Sequence, residues 1–407
     1  MTSFSDFGLL PSLLKTLKTM RIFKPTDIQG HVIPLMMSGQ AVVGVSETGS
    51  GKTLAYGLPL LNHLKALEES GDPVKRENAP RAIVMVPTRE LGEQVAKVFK
   101  SLTHDTRLRV RPALGGMTLE QARRNTSGSF EILLATPGRL VQMLEKRLID
   151  LSDVRLLVFD EADQMMDQGF LPDTNIVVDA CPVDVQLALF SATVSTTVQE
   201  LMNDLFSSAE VVRSKGSGKV VSSLKTKNLT VEDGKRWPVM EKVLSQRVDG
   251  STIVFANTRE QCDKIAKELT DKGYACVVYR GEMDKNERRA NLKKFRDGKA
   301  DLLVATDLAG RGLDVPNVAR VINYHLPKEM ENYLHRAGRT ARAGRPGLVV
   351  NLVTARDSRL IANLEGNKPA SLEKKTEHKG KPRVGSTKRF NDSRGKSGYA
   401  KSMGKKK

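Results

Sequence analysis

Ser46-Glu47-Thr48-Gly49-Ser50-Gly51-Lys52-Thr53 stands between an apolar run, Ala41 to Val45, and a stretch patterned as a helix from Lys52 to about His63. A strand, a glycine-rich turn and a helix opening on Gly-Lys-Thr make the phosphate-binding loop pattern. The glycines let successive backbone N–H groups point at one anion, and the helix N-terminus adds its positive dipole end. In that pattern Lys52 reaches the β- and γ-phosphates, and the Thr53 hydroxyl meets Mg²⁺. The usual opening residue is Gly or Ala; here it is Ser46. Read alone, the stretch also fits a plain glycine turn.

Working outward, short apolar runs alternate with helical stretches at 41–45, 82–86, 130–135, 155–159 and 186–190. This rhythm predicts a parallel sheet with crossover helices. Each run is followed by a polar cluster: Pro87 to Gly92, Thr136 to Arg139, Asp160 to Asp163, Ser191 to Thr193. Ligands of such sheets bind beyond the carboxyl ends of the strands, so these clusters should share one edge with the phosphate loop. The rhythm restarts at 252–256, 275–279, 301–305, 319–323 and 348–353, without a second phosphate loop. The reading is α/β throughout: a first domain over 1–213, a flexible linker over 214–222, a second domain over 223–365 and a disordered basic tail over 366–407. Ahead of the loop, residues 4–20 pattern as an amphipathic helix with Leu9, Leu13, Leu14 and Leu17 on one face.

The 407 residues carry a net charge of +18, which favours a polyanionic partner. The tail holds 14 Lys+Arg against 3 Asp+Glu, so +11 of that charge lies there. Blocks of like charge often serve as nucleic-acid arms, although a solubilising tail has the same composition. Cys181, Cys262 and Cys276 lack metal-type spacing and read as buried thiols of a reducing compartment. The opening residues show no signal-peptide core and no apolar run suits a membrane helix, so the expected location is the cytoplasm.

Two clusters carry chemistry. Asp160-Glu161 ends the apolar run Leu156 to Phe159. Beside a phosphate loop, Asp160 would help hold Mg²⁺ and Glu161 would orient and deprotonate the attacking water. Arg336, Arg339 and Arg342 recur at helical spacing within a stretch taken as helix over 331–342. They read either as a basic surface face or as arginine fingers supplied by the second domain to the γ-phosphate. Gln29, after Pro25-Thr26, could read both edges of an adenine, but alone it reads as a surface helix residue.

Asp160-Glu161-Ala162-Asp163 spells D-E-A-D, and the chain resembles the DEAD-box family of ATP-dependent RNA helicases over roughly residues 3–360, with about ten motifs in family order. The resemblance implies two tandem RecA-like domains with parallel sheets. It implies ATP and Mg²⁺ as cofactors, and RNA, bound through sequence-independent backbone contacts, as partner. Phe4 resembles the adenine-stacking aromatic and Gln29 the adenine-reading glutamine; Thr48, Gly49, Ser50, Gly51, Lys52 and Thr53 match the phosphate loop. Thr88, Arg89, Gly115-Gly116, Thr136 and Arg139 match the first domain's RNA contacts, and Ser191 with Thr193 the element that couples ATP state to strand separation. In the second domain Thr258, Arg259 and Thr306 fall on RNA-phosphate positions, Asp314 on the ribose position, and Arg339 with Arg342 on the fingers. Departures are Ser46 for Ala, Arg21-Ile22 for Gly-aromatic, Gly92 and Gly310 for alanines, and Lys285 for Gln.

The implied activity is an RNA-dependent ATPase that unwinds short duplexes locally or remodels RNA–protein particles. An RNA annealer or clamp working mainly through its tail, and a DNA-translocating helicase, are the competing readings. Oligomeric state and the physiological RNA are not encoded in these motifs.

Overall fold

The computed structural model describes residues 3–47, 49–214, 224–232, 234–307, 315, 317–341 and 346–364. Thr48, Gly310, Asp314, Arg342, most of the linker and the tail lie outside the described residues. Two parallel sheets organise the rest. The first is built from β1 (Val42–Val45), β2 (Ala82–Met85), β3 (Val110–Ala113), β4 (Ile132–Ala135), β5 (Leu156–Asp160), β6 (Gln186–Ser191) and β7 (Glu210–Arg213). Its order is β3-β4-β2-β5-β6-β1-β7. The second contains β8 (Leu224–Thr230), β9 (Ser251–Phe255), β10 (Cys276–Tyr279), β11 (Leu302–Ala305), β12 (Val318–Asn323) and β13 (Gly347–Val353). Its order, β10-β11-β9-β12-β13-β8, repeats the first six strands of the first sheet label for label, advanced by seven.

The helices of the first half are α1 (Pro11–Thr19), α2 (Asp27–Met37), α3 (Lys52–Glu69), α4 (Arg89–Thr106), α5 (Leu119–Asn125), α6 (Pro137–Glu145), α7 (Ala162–Asp167), α8 (Leu171–Asp179) and α9 (Thr196–Leu205). The second half adds α10 (Arg236–Leu244), α11 (Arg259–Asp271), α12 (Lys285–Arg296), α13 (Met330–Ala337) and α14 (Ser358–Leu364). No described helix is long and apolar enough to cross a membrane.

The inner strands of each sheet are buried on both faces, as parallel sheets require. Along β4, Ile132 and Leu134 enter one core while Leu133 and Ala135 enter the core on the opposite face. In the second sheet Ile253 and Val254 divide the same way. Each fully buried aliphatic side chain is worth about 1.5–3 kcal/mol. Gly44 in β1 is set by packing: a Cβ there would lie 2.7 Å from the Phe190 ring. Gly92 has a similar origin, since a Cβ would meet a Leu114 methyl at 2.4 Å.

Several expectations change. Residues 4–20 are not one helix: a 3₁₀ turn over Phe4–Phe7 ends at left-handed Gly8, and α1 begins at Pro11. Helix α3 runs past His63 to Glu69. Strands β3, β7 and β8 escape the apolar-run criterion. The arginine helix stops at Ala337, so Arg339 follows it in a turn. Of the cysteines only Cys262 is fully buried; Cys181 and Cys276 are half-buried, and all three are unpaired.

Candidate active site

The phosphate loop leaves β1 at its carboxyl end and feeds α3, whose first residue is Lys52. Gly51 makes the entry possible with φ 92°. Lys52 is buried and folds back on its own loop, donating to the carbonyls of Ser46 (2.6 Å) and Glu47 (3.0 Å). The Ser46 hydroxyl, absent from an alanine, bonds to that of Ser50 across the loop. Gln29 is buried rather than a surface residue. Its amide accepts from Thr26 N–H at 2.9 Å, capping α2, and donates to the Gly51 carbonyl at 3.0 Å. One N–H and one lone pair of the amide stay available for a base edge.

Phe4 departs from its expected role. Its ring is 3% exposed, edge-on to Phe7 at 6.1 Å, and belongs to the core, so no face is offered to a base. The exposed aromatic nearby in sequence is Phe23, at 66%. Arg21 keeps a left-handed φ of 59°, the conformation a glycine adopts freely, and Ile22 packs on the core.

Asp160 ends β5 and Glu161 follows it, and both are buried. Burial, and next the neighbouring Glu161, push the Asp160 carboxyl up to about 6 against the pull of Lys52 and Tyr56. The Tyr56 hydroxyl donates to Asp160 Oδ2 at 2.7 Å and also bonds to Thr53. Glu161 holds φ 53°, ψ 54° as the cap of α7, a strained conformation of the kind that clusters at functional sites.

Asp163, one turn on, is the junction of the site. Its Oδ2 accepts from Ala192 N (3.1 Å), Thr193 N (3.0 Å) and Thr193 Oγ1 (3.1 Å). His335 Nε2, from α13 of the second half, lies 3.4 Å from the same oxygen. Burial would raise this carboxyl, but the His335 ring, Lys52 and the Gln164 N–H hold it far below the usual range. Ser191 Oγ accepts from Asp163 N and donates to the Thr193 carbonyl at 2.6 Å. The strand-end element of β6 is thus tied to D-E-A-D and, through one carboxylate, to the other domain.

Arg336 is not a finger. Among the described residues it is the largest fully buried side chain, and it is spent inside its own domain. Its guanidinium pairs with Asp307 and donates to Asn257 Oδ1 (2.9 Å), Asn323 Oδ1 (3.0 Å) and the His325 carbonyl (2.6 Å). Arg339 is buried as well, donating to the His335 carbonyl at 3.0 Å.

Thr88, Arg89, Gly116, Thr136 and Arg139 line one groove of about 1060 Å³. Thr88 caps α4, Arg89 pairs with Glu93 at 2.8 Å, and Arg139 binds the Met117 carbonyl and Gln142. Thr258, which caps α11, Arg259, which pairs with Glu282, and buried Thr306 lie off that wall. Tyr56, the His335–Asp163 contact and the basic side of α12 were not found from the sequence. Tyr56 sits in an apolar helix and looks like plain core, and the His335–Asp163 contact exists only once the domains meet.

Residues 26–201 match the DEAD/DEAH box helicase family, and residues 235–344 the helicase conserved C-terminal domain. The chain is 34% identical over 363 residues to the DEAD-box ATP-dependent RNA helicase CshA of Bacillus subtilis, covering 89% of this chain and 72% of that one. It is 33% identical over 357 residues to the ATP-dependent RNA helicase CshA of Listeria monocytogenes, covering 88% and 67%. Its fold matches that of S. cerevisiae Dbp5 bound to RNA and ADP BeF3 with a TM-score of 0.77 at 26% identity, covering 90% of this chain and 93% of that one. With a glycine loop, a D-E-A-D strand tip and a second domain touching it through one histidine, the chain belongs to the DEAD-box helicase family.

Proposed function

We infer that this chain is an RNA-dependent ATPase that unwinds short RNA duplexes or remodels ribonucleoprotein particles, hydrolysing ATP in the cleft between its two domains. The observation that carries the reading is the joining of Gln29 to Gly51, and of Tyr56 to Asp160, around one loop. Base reading, phosphate binding and acid–base groups thereby converge on one sheet edge. Gln29 would read adenine with its remaining N–H and lone pair. Lys52 would leave the Ser46 and Glu47 carbonyls to meet the β- and γ-phosphates. Glu161 would orient the attacking water and take its proton. Thr48 and Asp314 are assigned to the nucleotide, and Arg342 with Arg339 to the γ-phosphate, by their place in the family motifs.

A Mg²⁺ ion suits the donor set. This ion is usually held by one or two carboxylates together with substrate phosphates, rather than by a cage of protein ligands. Asp160 is a buried carboxylate linked through Tyr56 to Thr53. When bound, the ion would neutralise charge on the phosphate oxygens. Ser191 and Thr193 would relay closure of the site to RNA separation through Asp163. The RNA strand would lie along the groove of Thr88, Arg89, Gly116, Thr136 and Arg139, with Thr258, Arg259 and Thr306 serving it from the second domain. The cytoplasm is the proposed location.

The test is Glu161→Gln. It should bind ATP normally and lose nearly all turnover, because an amide cannot take the proton. Ordinary turnover in that variant would overturn the catalytic assignment.

A further inference from the structure

One hydroxyl stands between the two groups assigned to the metal ion. Tyr56 lies one turn after Thr53 on α3, so the two side chains share a face of that helix. Its ring is wholly buried, with centroids 5.2 Å from Phe190 and 6.2 Å from Phe99. Packed between two aromatic rings, the side chain holds its hydroxyl at a fixed point. That point is 2.7 Å from Asp160 Oδ2, and the same hydroxyl bonds to Thr53. A core position needs no such group. Phenylalanine fills nearly the same volume, and a buried hydroxyl costs free energy unless it is bonded.

A single hydrogen sets the direction of both bonds. A phenol has one hydrogen and a carboxylate only accepts, so the Tyr56 hydrogen goes to Asp160. The bond between Tyr56 and Thr53 must then use the Thr53 hydrogen, donated to Tyr56 Oη. A hydroxyl ligates a cation through an oxygen lone pair, so its hydrogen has to point elsewhere. Tyr56 is where the Thr53 hydrogen goes. On the other side, the bond to Oδ2 fixes the rotation of the Asp160 carboxyl group and with it the direction of Oδ1.

We propose that Tyr56 is a positioning residue of the magnesium site, presetting the Thr53 lone pairs and the Asp160 carboxylate for one ion through a single fixed hydroxyl. The inference rests on the ATP and Mg²⁺ reading above and adds a residue to it. Groups that orient metal ligands from behind are worth about 10–100-fold in metal affinity or activity. Because Tyr56 acts through its two partners, its loss should show in the metal dependence of nucleotide binding and not in binding of the nucleotide alone.

Tyr56→Phe in the full chain tests this, since the ring stays and only the oxygen goes. Binding of a fluorescent, non-hydrolysable ATP analogue is followed in EDTA and then over a series of free Mg²⁺ concentrations. Without Mg²⁺ the variant and the parent should bind the analogue alike. The free Mg²⁺ concentration that gives half of the Mg²⁺-dependent gain should rise by about 10-fold or more in the variant. RNA-stimulated ATPase should show the same displacement of its Mg²⁺ midpoint, with most of the maximal rate regained at high Mg²⁺. The control Phe99→Leu loosens the packing on the ring but keeps the hydroxyl, and should leave the midpoint where it is. An unchanged Mg²⁺ midpoint in Tyr56→Phe, a loss of binding that is equal with and without Mg²⁺, or an equal displacement in Phe99→Leu would overturn the proposal. So would a Tyr56→Phe chain that does not fold, which would make the hydroxyl structural. The unsubstituted chain separates the failures: if its ATPase needs Mg²⁺ and responds to RNA while Tyr56→Phe matches it, only the role of Tyr56 falls.

Discussion

The two domains share a strand order and differ in what they place at the strand tips. In the first, β5 ends in Asp160, whose pKa is raised, and is followed at once by buried Glu161 with a strained backbone. In the second, the corresponding strand β12 ends in Asn323, whose amide donates to Asn351 and accepts from Arg336. Lys52 of the first domain holds two carbonyls of its own loop, whereas Arg336 of the second has four partners beyond the ends of β9, β11 and β12. One sheet edge is poised for exchange of partners and the other is satisfied. A duplicated strand order thus carries two different sets of polar groups at its strand tips.

The largest contrast should come from paired cation deletions. Lys52→Ala should abolish ATP turnover while leaving the unfolding transition nearly unchanged, because its carbonyl partners can take water. Arg336→Ala should instead cost about 3 kcal/mol of stability, since it removes a fully buried side chain and leaves buried Asn323 and the partly buried Asp307 carboxylate without their partner. Denaturant unfolding monitored alongside ATPase would show this. A stable Arg336→Ala protein lacking only turnover would erase the distinction between the two edges.

Next comes Asp160→Asn, measured without nucleotide. The folded-state pKa of Asp160 is raised to about 6 from 3.8, so its charge costs stability once pH rises through that window. The amide escapes this cost and can still accept from Tyr56. The variant should be more stable by up to about 3 kcal/mol above pH 6, with the gain vanishing below about pH 4. It should also lose hydrolysis. A melting temperature that is lower than that of the parent at pH 7 would show Asp160 to be structural.

Smaller still is the effect at the junction. Ser191→Ala/Thr193→Ala should reduce duplex separation more than ATPase, because it loosens the link through Asp163 but removes no group from the phosphate site. Equal losses in both activities would place the pair in hydrolysis itself. The smallest effect belongs to the tail. Deleting 366–407, with +11 of the total charge, should raise the RNA concentration for half-maximal ATPase and flatten its salt dependence, with the maximal rate barely changed. Identical half-maximal concentrations would rule out a tethering role.

Most of this plan is legible in the sequence, because buried parallel strands must be written as apolar runs and ligand-binding residues follow their carboxyl ends. What was hidden has physical reasons. Strand β8, Leu-Lys-Thr-Lys-Asn-Leu-Thr, lies at the sheet edge and is largely exposed, so polar residues cost it nothing. Strands β3 and β7 are edges too, and β3 even admits Pro112. Gly8 interrupts an amphipathic pattern that continues across it. Three arginines at helical spacing looked equivalent, yet Arg336 is buried in a polar network. The family motif sets Arg339 and Arg342 apart from it, but its burial follows only from the three-dimensional positions of Asp307, Asn257 and Asn323. Phe4 illustrates the same limit, since an aromatic beside an adenine motif and an aromatic in the core read alike.

The central claim is that one cleft couples ATP to RNA. The direct measurement is steady-state ATPase of the full chain with no nucleic acid, with single-stranded RNA, and with DNA of the same length and base order. The account predicts strong stimulation by RNA and little by DNA. Equal rates in all three conditions, or stimulation by DNA matching that by RNA, would contradict it.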